Sequence, residues 1–305
     1  MPKRGFVFAA TGPVYVALAR RAAKTVAAHC PGYPIDLFTD GEVIDPVFAR
    51  IHKLKKSWQR PKMESLYRSR FRQTVYLDAD LFVVADIRDI FETLAHYDLA
   101  CAHDQTRNSA LGTTFYTKPV PAAFPQFNSG VFGVAKSDAT TRFLREWEEM
   151  VEKTRSGRDQ PVLRETLFDS NLRVCTLPPE YNLHNFKLLR SWTSVNTAPR
   201  VIHHNWLHQH ANGSGLPEIP SLEALLGKPL MRQLQKLLES DRYLHPANTV
   251  EVDAFCDIYP GKKLPNPHEP RGTANHPRDA TYFLRDTSAG KWFSALKKLV
   301  AGRGK

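Results

Sequence analysis

Two carboxylates interrupt an otherwise apolar run at residues 75–84, which read Val-Tyr-Leu-Asp-Ala-Asp-Leu-Phe-Val-Val. The flanks are β-branched, aromatic or aliphatic, the composition of a strand buried within a parallel sheet. Burying an unpaired carboxylate is expensive. Asp78 and Asp80 therefore need either the end of the strand or a cation. A continuous strand would place both on one face, since they are two residues apart. Two oxygen ligands on one side suit a hard divalent ion that also holds phosphates. The alternative is a strand end whose acidic pair is solvated.

The surrounding pattern alternates strands with helices. Residues 5–10 read as a buried strand, Thr11-Gly12-Pro13 as a turn, and residues 14–29 as an Ala-rich helix with Val14, Leu18, Ala22 and Val26 at helical spacing. Residues 33–39 form a second strand, completing one half of a nucleotide-binding α/β layout. Neither a Gly-x-Gly-x-x-Gly fingerprint nor a P-loop is present. Short strands are expected at 51–54, 98–102, 127–134, 173–177 and 200–204. Helices are expected at 62–71, 137–151 and through 167, and Ser137 suits an N-cap. Residues 107–125 show no period and read as irregular. The fold class is α/β, a single Rossmann-like, mixed, mostly parallel sheet flanked by helices. A catalytic domain over 1–210 is followed by a helical and irregular extension over 211–305.

Composition narrows the partners. The chain has 305 residues, 42% hydrophobic, enough for one large domain with an extension. Its net charge of +11 suits acidic small molecules, an anionic membrane surface or nucleic acid. No aromatic-interleaved basic motif appears, so nucleic acid is not expected. Cys30, Cys101, Cys175 and Cys256 are far apart and form no Cys-x-x-Cys. They read as reduced thiols of a cytoplasmic protein rather than a disulfide framework or zinc ribbon. No signal-peptide core and no apolar run long enough to cross a membrane is found. Residues 291–305 combine Trp292, Phe293, Leu296, Leu299 and Val300 with five basic residues. Such a helix suits peripheral contact with an anionic inner membrane surface, or docking on its own domain.

Several separated features then line up: Tyr15 after a strand, Lys62 placed 16 positions before Asp78, Asp78-Ala79-Asp80 followed by Asp86-Ile87-x-x-Ile90-Phe91, Asn128-Ser129-Gly130, Asp159-Gln160 and Ile202-His203. In this order they resemble the nucleotide-sugar glycosyltransferases of the GT-A fold, most closely family 8, over roughly residues 5–206. The resemblance implies a nucleotide loop at Ala10, Thr11 and Tyr15, with the tyrosine stacking on uracil. It implies a donor-side role for Lys62 and a ribose and metal contact for Asp78. Asp80, beside Ala79, would be the main metal ligand and His203 the third. Asn128 would meet the donor sugar, and Asp159 with Gln160 would bind the sugar and face the acceptor. The implied reaction is transfer from a UDP-sugar to a glycan or glycolipid acceptor, with retention of configuration. Mixed nitrogen and oxygen ligands favour Mn²⁺, with Mg²⁺ as the alternative.

One departure stands out. The family carries a Gly-x-x-Lys-Pro-Trp segment after the histidine, whereas this chain reads His203-His204-Asn205-Trp206-Leu207-His208-Gln209-His210. The diphosphate clamp is thus unassigned among His208, His210, Lys187 and Arg190. Three rivals remain at this stage. A haloacid-dehalogenase-like phosphatase would use Asp78 as nucleophile. A zinc hydrolase would pair His204 with His208 on one helix face. A pseudoenzyme would bind sugar nucleotides without turnover.

Overall fold

The computed structural model describes residues 3–56, 60–155, 157–212 and 216–245. The expected irregular stretch at 259–278, Cys256 and the basic helix at 291–305 lie outside the described residues.

The centre is a strand hydrophobic on both faces. In β1 (Arg4–Ala10), Phe6, Phe8 and Ala10 pack into one helical layer, while Val7 and Ala9 pack into the other. It pairs in parallel with β2 (Ile35–Thr39), which pairs in parallel with β3 (Arg50–Lys53). Between β1 and β2 runs α1 (Gly12–His29), which buries Leu18, Ala19, Ala22, Ala23 and Val26. The expected turn at Thr11-Gly12-Pro13 is absorbed into this helix. Pro13 occupies the first turn, where its missing N–H costs nothing, and Gly12 takes a φ of 74°.

The chain then returns through α2 (Lys62–Arg68) to β4 (Gln73–Leu77) on the other side of β1. The single strand expected over 75–84 is in fact two. Asp78-Ala79-Asp80 carry the chain out of the main sheet, and β5 (Leu81–Val83) pairs antiparallel with β9 (Val201–His203) in a separate two-stranded sheet. The two carboxylates therefore lie in a link between sheets, not on one strand face.

The remaining elements are α3 (Asp89–Thr93), β6 (Leu99–His103), the short α4 (Ala110–Thr113) within the irregular 107–125 stretch, β7 (Phe127–Ala135), α5 (Asp138–Thr154), α6 (Asp159–Phe168), β8 (Val174–Leu177) and α7 (Leu222–Ser240). The main sheet runs β3-β2-β1-β4-β7-β6-β8. Its pairs are parallel except β4 with β7 and β7 with β6. Residues of α1 and α3 cover one face; those of α2, α5 and α6 cover the other, around fully buried Trp147. Ser137 caps α5 in a reciprocal capping box with Thr140. A third apolar cluster joins Phe82 and Ile202 of the small sheet to the 3₁₀ turn Phe186–Arg190 and to α7. Helix α7 is broken near its start, where Gly227 adopts a φ of 72° and Pro229 follows.

A buried ion pair ties α7 to the small sheet. Asp241 at the end of α7 accepts from the Ala198 N–H at 2.7 Å and from the Arg200 guanidinium at 2.8 Å. Both side chains are almost fully buried. Asp241→Ala would strand the Arg200 charge and should cost about 3–5 kcal/mol in urea unfolding. An Asp241→Leu/Arg200→Met double variant should recover much of that loss.

Candidate active site

Strand order fixes where a ligand can sit. From β1 the chain moves outward to β2 and β3, then crosses back to β4, so the topology reverses between β1 and β4. In open α/β sheets the crevice at the carboxyl ends of such strands is the binding position. Here that end carries Thr11 and Tyr15 after β1, and Asp78-Ala79-Asp80 after β4. Strand β7 is antiparallel, so its start, Phe127 to Gly130, reaches the same end; the Asp78 N–H donates to the Gly130 carbonyl at 2.8 Å.

Asp78, Asp80 and His203 each offer one ligand atom within 4.8 Å of the others. The His203 Nε2 lies 3.2 Å from Asp80 and 4.0 Å from Asp78. Its Nδ1 lies 2.9 Å from Asn182 Oδ1. The Asn182 amide nitrogen donates to the backbone and side-chain oxygens of Asn128, which turns its oxygen toward the imidazole. Nδ1 must then be the donor, which leaves the Nε2 position facing two carboxylates. A proton or a cation has to fill that gap. Such a backing hydrogen bond is how metal-binding imidazoles are oriented. Burial pulls the His203 ring toward its neutral form, but the Asp80 charge and hydrogen bond outweigh this and raise its pKa. Burial likewise opposes ionisation of Asp80, yet His203 and His208 hold its carboxyl far below the usual range. The donor set of two carboxylates and one imidazole fits a divalent transition ion.

His208, a clamp candidate by sequence, instead reaches a carboxylate of the cluster. Its Nδ1 contacts Asp80 at 2.7 Å, and its ring lies 5.9 Å from that of Tyr15. His204 goes elsewhere, packing on His184, Phe186 and Trp206. The His204–His208 pair of the rival zinc-hydrolase reading therefore does not form, because Asn205–Asn212 is a 3₁₀ turn. Among the described residues the grouping able to hold a metal is Asp78, Asp80 and His203.

Lys62 is the second hub. Only 5% exposed, its ammonium contacts Asp78 at 3.1 Å, Asp159 at 3.3 Å and the Ser129 hydroxyl at 2.7 Å. It also lies 5.1 Å from the Tyr76 ring, whose hydroxyl donates to Asp78 at 2.9 Å. Burial disfavours the ammonium, but the charges of Asp159 and Asp78 raise its pKa nonetheless. Asp159, the first residue of α6, also accepts from Ser129 at 3.0 Å and stands 3.7 Å from Arg60. Burial opposes its ionisation, but Lys62 and Arg60 win and lower it to about 2.

The other expected residues fall around these hubs. Asn128 is buried, with its side-chain oxygen taken by the Gly130 N–H and Asn182. Gln160 is half-buried beside Asp159 in the first turn of α6. Ala10 and Ala79 are buried, and Thr11 and Tyr15 are half-buried. Of the clamp candidates, His208 is committed to Asp80, Lys187 and Arg190 are exposed on the 3₁₀ turn, and His210 has a buried Nδ1 without a partner. Arg21 of α1, which the sequence did not mark, has Nε and Nη2 buried without partners. Asn182 and Ser129 were also missed as functional positions, since their partners are remote in sequence.

Two outcomes follow from this geometry. A Cβ at Gly130 would fall 2.4 Å from the His203 ring. Gly130→Ala should therefore weaken divalent-cation binding by about 10–100-fold in calorimetry, the usual scale for disturbing a ligand's support, with the circular dichroism spectrum retained. Asp159 has a folded pKa of about 2 against an ordinary value of 3.8. A depressed carboxyl stabilises the fold above its unfolded pKa and loses that contribution as pH falls through the folded one. Stability should drop by roughly 2 kcal/mol from this group between about pH 4 and 2. Urea titrations across that window should show a shallower acid limb in Asp159→Asn.

The profile of the nucleotide-diphospho-sugar transferases matches residues 15–214. No curated protein gave a match. Among solved structures, the glycosyltransferase GlyE of Streptococcus pneumoniae TIGR4 shares 20% identity at a TM-score of 0.48, over 66% of this chain; the chain spans 55% of GlyE's length. An active-site mutant of LgtC shares 16% identity at a TM-score of 0.50, over 76% of this chain and 95% of LgtC. The galactosyltransferase LgtC with donor and acceptor sugar analogs shares 17% identity, at a TM-score of 0.47, over 76% of this chain and 96% of that one. The likeness to LgtC is one of fold. With the profile covering about two thirds of the sequence, the chain belongs to the nucleotide-diphospho-sugar transferase family and has the GT-A fold.

Proposed function

We propose that this enzyme transfers a hexose from a UDP-sugar to a glycan or glycolipid acceptor, using Mn²⁺ and retaining the anomeric configuration. The observation that carries the reading is the Asp78–Asp80–His203 cluster at the topological switch point, joined through Asp78 and Lys62 to Asp159. When bound, the cation supplies Lewis-acid neutralisation of the leaving nucleoside diphosphate. Asp78, Asp80 and His203 hold it, and an imidazole in the set favours Mn²⁺ over Mg²⁺. Ala10, Thr11 and Tyr15 receive the nucleoside, with Tyr15 offering its ring to the base.

Asp159 acts as a fixed acceptor for donor-sugar hydroxyls. Its charge is already shared with Lys62 and Arg60, which suits orientation better than attack on carbon. Gln160 faces the reacting centre, and Asn128 contacts the donor sugar while holding Asn182 and Gly130 in place. Arg21, whose buried Nε and Nη2 have no partner, and His210, whose buried Nδ1 has none, complete the diphosphate clamp in place of the family's lysine. Catalysis is assigned to residues 1–210, and an accessory role to 211–305. The basic stretch 291–305 would rest against an anionic membrane at the cytoplasmic face. No helix among the described residues is long and apolar enough to cross a membrane.

Incubation with a panel of sugar nucleotides and Mn²⁺ tests the assignment. A UDP-sugar should be hydrolysed, and Asp80→Asn should lower the rate by at least about 10²-fold, the scale of a lost electrostatic stabiliser. Proton NMR of the released sugar should first show the donor's own anomer. Donor binding without turnover of any panel member would sink the catalytic reading in favour of a binding-only protein.

A further inference from the structure

His208 lies in the segment where this chain departs from the family pattern, outside the grouping able to hold a metal. Its position is built. Leu207 beside it is fully buried in the third apolar cluster, and the Leu207 N–H donates to the His204 carbonyl at 3.1 Å. The His204 ring folds back on the same stretch, its Nδ1 accepting from the Trp206 N–H at 3.2 Å. These contacts hold the 3₁₀ turn Asn205–Asn212, from which His208 reaches Asp80. The Tyr15 ring, 5.9 Å away and inclined by 40°, backs the imidazole at an ordinary aromatic spacing.

Asp80 is divided between two imidazoles. Its Oδ1 faces the His203 Nε2 at 3.2 Å, and its Oδ2 contacts the His208 Nδ1 at 2.7 Å. A carboxylate oxygen only accepts, so the His208 Nδ1 is the donor in the second contact. Hydrogen bonds to ionised acceptors are the short and strong ones, and this one is short. Presenting both Asp80 oxygens to a single ion would mean giving that bond up.

Cations differ in how they use a carboxylate. Ca²⁺ gathers about six to eight oxygens and often grips a carboxylate by both. A divalent transition ion accepts imidazole nitrogen beside single carboxylate oxygens. Which oxygens of Asp80 are open therefore bears on which ion the site prefers.

We propose that His208 is a positioning residue that selects the cation: by holding Asp80 Oδ2 it leaves Oδ1 alone for the ion, and so favours a transition ion over Ca²⁺. The inference rests on the reading of Asp78, Asp80 and His203 as a cation site. His208 itself is neither a ligand nor a group that touches a reacting atom.

The full chain is titrated calorimetrically with MnCl₂ and with CaCl₂, each with and without UDP, and the ratio of the two affinities is compared among variants. The wild-type chain should prefer Mn²⁺. His208→Phe keeps a ring against Tyr15 but cannot donate. It should narrow the ratio by about 10-fold or more, the scale on which a ligand's supporting hydrogen bond acts. His208→Asn, whose amide nitrogen can donate near the position of Nδ1, should lie closer to the wild-type ratio than to that of His208→Phe. A ring that only packs would weaken both ions alike. His208 is half-buried, and a ratio of affinities is insensitive to the fraction of chain that folds. An unchanged or widened ratio in His208→Phe overturns the proposal, as does a ratio in His208→Asn no nearer to wild type. Binding of neither ion by the wild-type chain would sink the cation-site reading and this proposal with it. An unchanged ratio beside tight wild-type binding would sink the proposal alone.

Discussion

A single buried ammonium holds the site together. Lys62 sits at the start of α2, yet it joins the link after β4, the beginning of β7 and the first turn of α6 through Asp78, Ser129 and Asp159. Each of those carboxylates would be costly to bury alone. With the cation between them, two acids can lie beside a third, Asp80, without all three repelling into solvent. The lysine in turn keeps its charge only because both acids face it. The mutual dependence explains why the acids come as a set.

The second organising fact is topological. The reversal between β1 and β4 opens a crevice, and the two antiparallel pairings of β7 bring Asn128 and Gly130 to its rim. Gly130 is needed there because the His203 imidazole lies against its Cα. Asn128 and Asn182 then choose the tautomer of that imidazole. The chemistry at the rim is thus set by residues that offer no charge of their own.

Much of this was legible in the sequence, for specific reasons. Strands covered by helices on both faces are apolar throughout, so β1 and β7 announce themselves, and the acidic pair stands out against such a background. The ordered spacing from Tyr15 to His203 pointed to the family that the profile match then showed. The break at Asp78-Ala79-Asp80 was hidden, because the residues after it are as apolar as those before it; β5 changes sheet without changing composition. Lys62 read alone is a surface lysine, since the partners that bury it are far along the chain. His208 was visible as one histidine among four, but only a 3₁₀ turn, not a helix, aims it at Asp80. The grip of Glu165 on Tyr116 to Lys118 could not be read from the irregular stretch it holds.

The three-residue link between the sheets has a mechanical consequence. Asp78 is fastened to the main sheet through Gly130, whereas the Asp80 carbonyl accepts from the His204 N–H beside the small sheet. The spacing of the two carboxylates therefore gauges the alignment of two separately packed layers. An ion gripping both acids and His203 would act as a rivet across the seam. Shear of the outer layer, which includes α7, would be felt first as a change in grip on the ion, before either sheet lost a strand.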